Sequence, residues 1–169
     1  MNKKNIIKLL FIFSIFVFIV SCRETINNAI ELDLTKLYND YVNGYDWFKV
    51  EYDNYIIKDD YIDSLKYYHS NIYKFIIFAK PSCSCGNEYK KFPYFIKILD
   101  TIGVNRANIE VFSIGNSDYS HPYKNKFIIN QLPTFMILKN DDVIYSINDT
   151  ILKYNNKSLE ETLLNGLMQ

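Results

Sequence analysis

The sequence has no excess charge of either sign, with 19 Lys and Arg set against 19 Asp and Glu in 169 residues. Without a basic surplus the chain lacks the usual means of displacing counterions from phosphates, so nucleic acid is not an expected partner. Internal repeats and low-complexity segments are also missing. The length leaves room for one ordinary domain with a modest extension, not for a multidomain enzyme. Cysteine is scarce, at three, and histidine scarcer, at two, so any thiol or metal chemistry must rest on very few side chains. Apolar residues make up 49% of the chain against 22% charged, enough for a packed core and unlike a disordered composition.

Residues 1–21 read as a secretory signal. Lys3, Lys4 and Lys8 give a positive start, Leu9 to Val20 is an apolar run broken only by Ser14, and Ile19-Val20-Ser21-Cys22 follows at once. The run is short for a membrane span of about 20 apolar residues. Its end resembles a bacterial lipobox. That resemblance implies that Cys22 receives diacylglycerol and becomes the new N-terminus, so that the protein is held to a membrane in the bacterial cell envelope with its domain in the periplasm or another exported space. Removing residues 1–21 takes away three lysines and no acid, leaving a mildly acidic chain with 16 basic and 19 acidic residues. Residues 22–33 are then a polar lipidated tether, 34–58 an N-terminal extension of the domain, and 59–169 the domain itself.

Periodicity supplies the elements. Leu34, Leu37 and Tyr41 recur at helical spacing until Asn43-Gly44 stops them, and Trp47 to Tyr52 alternates as a strand would. Asp59-Asp60 opens a helix carrying Ile62, Leu65 and Tyr68 and ending near His69-Ser70-Asn71. Tyr73 to Ala79 is a continuous apolar run, the pattern of a strand buried on both faces. Tyr89, Phe92, Phe95, Ile96, Leu99 and Ile102 trace one face of a helix in which Pro93 should introduce a kink. Ile109 to Ile114 predicts a second buried strand, Tyr123 to Asn130 a short helix, and Thr134 to Leu138 a third strand. Asn140-Asp141-Asp142 turns the chain into Val143 to Ile147, and Ser158 caps a last helix. From Tyr73 the order is βαβαββα.

Between the first of those strands and its helix stands Lys80-Pro81-Ser82-Cys83-Ser84-Cys85-Gly86, and Gln131-Leu132-Pro133-Thr134-Phe135 precedes the third strand. With the element order, these segments make residues 59–169 resemble the thioredoxin-like family. The resemblance implies an α/β chain with a thioredoxin-like fold, a central mixed β-sheet flanked by helices, and a cis peptide at Pro133. It implies thiol–disulfide exchange with protein clients and a redox partner, without a cofactor. Cys83 stands at the family's distance from the strand and takes the role of nucleophile, with Cys85 as the resolving thiol. The backbone of Leu132, before Pro133, is left to pair with a bound peptide. A helix N-terminus favours thiolate over thiol, the physical reason for delivering a cysteine there.

The chain departs from the family at three places. Only Ser84 separates the cysteines where the family normally has two residues, Ile77 stands where many members bury an Asp, and Ser82 stands where Trp is common. Alpha carbons two positions apart lie roughly 5.5 Å from each other in helical backbone, within the range of about 4.4 to 6.8 Å that a disulfide accepts. Closing so small a loop gains only about 1.6 kcal/mol in the chain-entropy model, which favours exchange over a structural staple.

Other readings rest on fewer residues. Two thiolates with one histidine could hold copper(I) or zinc, making the chain a thioredoxin-fold metallochaperone, but His69 and His121 both fall in positions where solvation is expected. A non-catalytic interaction module with idle cysteines is a further alternative. Tyr67-Tyr68 suggests a sugar platform, although abundant Lys, Asn, Ile and Tyr fit a compositional bias more simply.

Overall fold

A computed structural model describes residues 28–39, 42, 44–81, 88–115, 117–147 and 157–169. The protein is α/β, with a five-stranded mixed sheet flanked by helices. In chain order the strands are β1 (Ile30–Glu31), β2 (Tyr73–Ala79), β3 (Ile109–Ser113), β4 (Thr134–Lys139) and β5 (Asp142–Ser146). Their order across the sheet is β1-β3-β2-β4-β5. β2 and β3 run parallel, and the remaining pairs are antiparallel. The helices are α1 (Leu34–Asn39), α2 (Phe48–Asn54), α3 (Ile62–Tyr68), α4 (Lys91–Thr101) and α5 (Leu159–Leu167). None of the described helices is long and apolar enough to cross a membrane.

The continuous apolar run of β2 is explained by its central place, because both of its faces are covered. Phe75, Ile77 and Ala79 join the core shared with α4 and α5, while Ile76 and Phe78 join a second cluster on the opposite face with Phe112, Met136 and Leu138. Helix α4 carries the crossover that a parallel β2–β3 pair requires. Its Phe92, Phe95, Ile96 and Leu99 recur at i, i+3, i+4 and i+7, and all four are fully buried. The β4–β5 hairpin turns through Asn140 and Asp141, whose φ angles of 52° and 68° match a turn that follows the right-handed twist of its strands. Asn and Asp tolerate that left-handed region better than most residues. The Ser158 hydroxyl accepts from Glu161 N–H at 3.2 Å, the expected cap of α5.

Three local expectations are corrected. Trp47 to Tyr52 is not a strand but falls largely in α2. Val50 is exposed, which breaks the alternation, whereas Phe48 and Tyr52 stack one helical turn apart and Lys49 pairs with Asp53 at 2.7 Å. Pro93 does not fall in the interior of α4, because a 3-10 turn occupies 88–90 and the helix starts at Lys91. Pro93 therefore sits in the first turn, where its missing N–H would have had no intrahelical acceptor. Residues 123–130 form no helix. Lys126 and Phe127 N–H both bond the Tyr123 carbonyl in a tight turn, and Tyr123 and Phe127 stack at 5.9 Å over the second cluster. A segment this short does not repay helix nucleation without help from packing, and here packing favours the turn.

Residues 28–33, expected within the tether, lie against the sheet. Asn28 bridges to Ser120, Ile30 lies opposite Ser113, and Leu32 N–H donates to the Val111 carbonyl at 2.8 Å.

Candidate functional site

The sheet register assembles the site. Phe78 lies opposite Thr134 in the antiparallel β2–β4 pair, which sets the start of β4 beside the carboxyl end of β2. The Leu132–Pro133 peptide bond is cis, as expected. Cys83 and Cys85, together with Ser82, Ser84 and Gly86, lie outside the described residues, as does Cys22. The described chain reaches Pro81 on one side of the cysteines and resumes at Glu88 on the other.

Beside the strand ends is a small, mostly apolar cleft of about 30 Å³. Ala79 and Lys80 form one part of its lining, Leu132 and Pro133 another, and Tyr89 and Phe92 the helix side. Trp47 closes it from the N-terminal extension. The indole meets Tyr89 edge to face at 4.6 Å and Phe92 at 6.4 Å, and its Nε1–H donates to the Gly44 carbonyl at 3.1 Å. Gly44 supplies a φ of 82° that aims the chain into this wall.

Tyr45 ties the extension to the same strand ends. Its hydroxyl donates to the Ala79 carbonyl at 3.1 Å and is 3.0 Å from the Ser113 hydroxyl, which can donate in turn. Burial pushes the Tyr45 hydroxyl up to about 12, although the bond from Ser113 opposes the shift. Glu51 on α2 fastens the wall to the start of α4, accepting from Lys90 at 2.9 Å and from Tyr94 Oη at 3.1 Å. The Glu51 carboxylate in return raises the Lys90 ammonium above its ordinary value.

Farther from the cleft, Asp100 Oδ2 gathers the hydroxyl protons of Tyr38 and Tyr52, at 2.7 and 2.8 Å, and Arg106 at 2.7 Å. Burial and then the bond to Asp100 push Tyr52 up to about 12. Tyr55 donates to the fully buried Glu160 at 2.6 Å. These bonds join the extension to α4 and α5.

The expectation for His121 is corrected. His121 is not solvated: it is buried, with its ring 4.7 Å from that of Phe78 and stacked on Phe127. Its Nδ1 has no hydrogen-bond partner among the described residues. Burial, followed by the nearby Lys124 charge, lowers its pKa. His121 covers the face of Phe78 opposite α4, and His69 is half-buried after the end of α3. No group of three or more His, Cys, Asp or Glu able to hold a metal occurs among the described residues. Tyr67 and Tyr68 meet edge to face rather than forming a flat platform.

Sequence reasoning singled out Leu132 and Pro133 but not Tyr45, Trp47 or Tyr89. The available signal was Gly44-Tyr45-Asp46-Trp47 directly after a helix stop, carrying the chain's only tryptophan. No family model, curated protein or solved structure matches the chain.

Proposed function

We propose that this is a lipid-anchored thiol–disulfide oxidoreductase of the bacterial cell envelope with a thioredoxin-like fold. One observation carries the reading: the cis Leu132–Pro133 peptide lies beside the carboxyl end of β2, the strand after which Cys83-Ser84-Cys85 follows. The apolar surface at that end supports it, since an extended client segment needs a wall to lie against. The backbone amide of Leu132 is the group that would align such a segment.

The Cys83 thiolate attacks one sulfur of a client disulfide, forming a mixed disulfide and expelling the other client sulfur as thiolate. The Cys85 thiolate then attacks Cys83 Sγ, releasing the second client thiolate and leaving a Cys83–Cys85 disulfide. Two electrons pass to the client, and the reverse sequence oxidises a client dithiol. Tyr45 supports the strand end through its bonds to the Ala79 carbonyl and the Ser113 hydroxyl.

Trapping tests the reading. Cys85→Ala should accumulate a mixed disulfide with a model peptide disulfide, and Cys83→Ala should accumulate little, measured by non-reducing electrophoresis and mass spectrometry. Trapping only through Cys85 would reverse the two roles, and trapping by neither would remove the proposed activity.

A further inference from the structure

The loop over residues 117–122 joins β1 to the body of the sheet through two consecutive residues. Ser120 holds the chain just before β1, because Ala29 N–H donates to its carbonyl at 2.8 Å and Asn28 forms a parallel bridge with it. His121 fastens the loop itself. Its ring lies 4.7 Å from that of Phe78 on β2 and 5.7 Å from that of Phe127, and the residue is only 9% exposed. Nδ1 has no polar partner among the described residues. A neutral imidazole can carry its hydrogen on Nε2 and leave Nδ1 a bare acceptor, the milder of the two deficits. A second proton makes Nδ1 a donor with no acceptor in reach and places a whole charge among aromatic rings. Attraction to the Phe127 ring offsets only part of the lost hydration.

We propose that His121 is an acid-sensitive latch: protonation drives its ring from between Phe78 and Phe127, loosens loop 117–122 and releases residues 28–32 from β3. The proposal stands apart from the exchange activity and uses none of its residues. Burial, and after it the positive Lys124, lower the His121 pKa, in keeping with a closed form that resists the proton. The charged groups on the surrounding elements are Asp118 in the loop, Lys124 and Lys126 in the following turn, Lys74 on β2, Glu110 on β3 and Glu31 on β1. Lys74 pairs with Glu110 at 3.3 Å, Glu110 also accepts from Tyr123 Oη at 2.6 Å, and Lys126 donates to the Asp141 carbonyl. Because the closed form holds the proton less well than the open one, the latch is fully shut above the ordinary imidazole value of about 6.5. It weakens as pH falls below that value, and the effect levels off below the lowered one, where both forms are protonated. Between the two, the open fraction rises about tenfold per pH unit.

Hydrogen exchange tests the latch in the full-length chain held in detergent. The Ala29 and Leu32 amides, bonded to Ser120 and Val111, are followed between about pH 7.5 and about 5.5, each rate normalised to its intrinsic value at that pH. Their protection should fall by up to about tenfold per pH unit while the amides of β2 keep theirs. His121→Phe, which occupies the same site without a titrating group, should keep Ala29 and Leu32 protected throughout. Protection in the native chain that does not change with pH, or that falls equally in His121→Phe, overturns the latch. Should His121→Phe fail to fold, the ring itself decides. The chain has only two histidines, so His69→Gln leaves His121 as the single imidazole reporter. Its ring carbon resonances should titrate below about 6.5, and titration at or above that value overturns the proposal.

Discussion

Two regions of the molecule are fastened by different forces. The sheet and α4 are joined through hydrocarbon, with Phe75, Phe92, Phe95 and Phe135 essentially inaccessible to solvent. The extension over α1 and α2 adds Leu37 and Phe48 to that core, but much of its remaining hold comes from tyrosine hydroxyls and lysines on Asp100, Glu51 and Glu160. Apolar burial is non-directional and scales with area, whereas a hydrogen bond fixes orientation for about 1 kcal/mol net. The body should thus unfold as one unit. The extension, and the Trp47 wall it carries, should open at lower free energy.

Phe95→Ala should have the largest effect. The ring lies 4.6 Å from Phe135 and 6.3 Å from Phe75, and its loss leaves a cavity costing about 3–5 kcal/mol, read from urea unfolding. A loss below about 1 kcal/mol would mean that the body is no better packed than the extension.

Asp100→Ala removes the common acceptor of Tyr38, Tyr52 and Arg106 and should cost about 1–3 kcal/mol. Its effect should be local. Amide exchange should quicken over α1 and α2 while β2 stays protected, and equal loss of protection in both would abolish the distinction between the regions.

Tyr45→Phe, at about 1 kcal/mol, is the smallest and sharpest test. In the unfolded chain this hydroxyl ionises near its ordinary pKa of about 10. In the fold it is pushed up to about 12, chiefly by burial. The folded state therefore favours the protonated form. Its contribution is complete below the lower value and is lost as pH rises through the higher one. Thermal melts across that alkaline window should fall less steeply for Tyr45→Phe than for the native chain; parallel slopes would show that Tyr45 is not held neutral at the strand ends.

Elements specified by local pattern were legible in the sequence. β2 is a continuous apolar run, α4 repeats at helical spacing, the Asn140-Asp141 turn needs residues that accept positive φ, and Ser158 caps its own helix. Where two patterns coincide, tertiary contact decides. Trp47 to Tyr52 alternates like a strand, but Phe48 and Tyr52 are also one helical turn apart, and their packing selects the helix. Pro93 reads as a kink only until the helix start is known. Of the candidate site, Leu132 and Pro133 were legible from their motif. The Trp47 wall was not, because Tyr89 and Phe92 are remote in sequence, and His121 looked solvated because a polar loop gives no sign that Phe78 and Phe127 enclose it.

The two-residue strand β1 also bears on solubility. An uncovered β3 would offer its outer N–H and C=O groups as a template for a strand from another molecule, and β3 is almost wholly apolar on its inward positions. β1 occupies that margin at Ser113 and Phe112, and the Leu32 amide extends the cover to Val111. Too short to recruit further strands itself, β1 acts as a guard against edge-to-edge aggregation, a hazard that grows when many copies are concentrated on one surface.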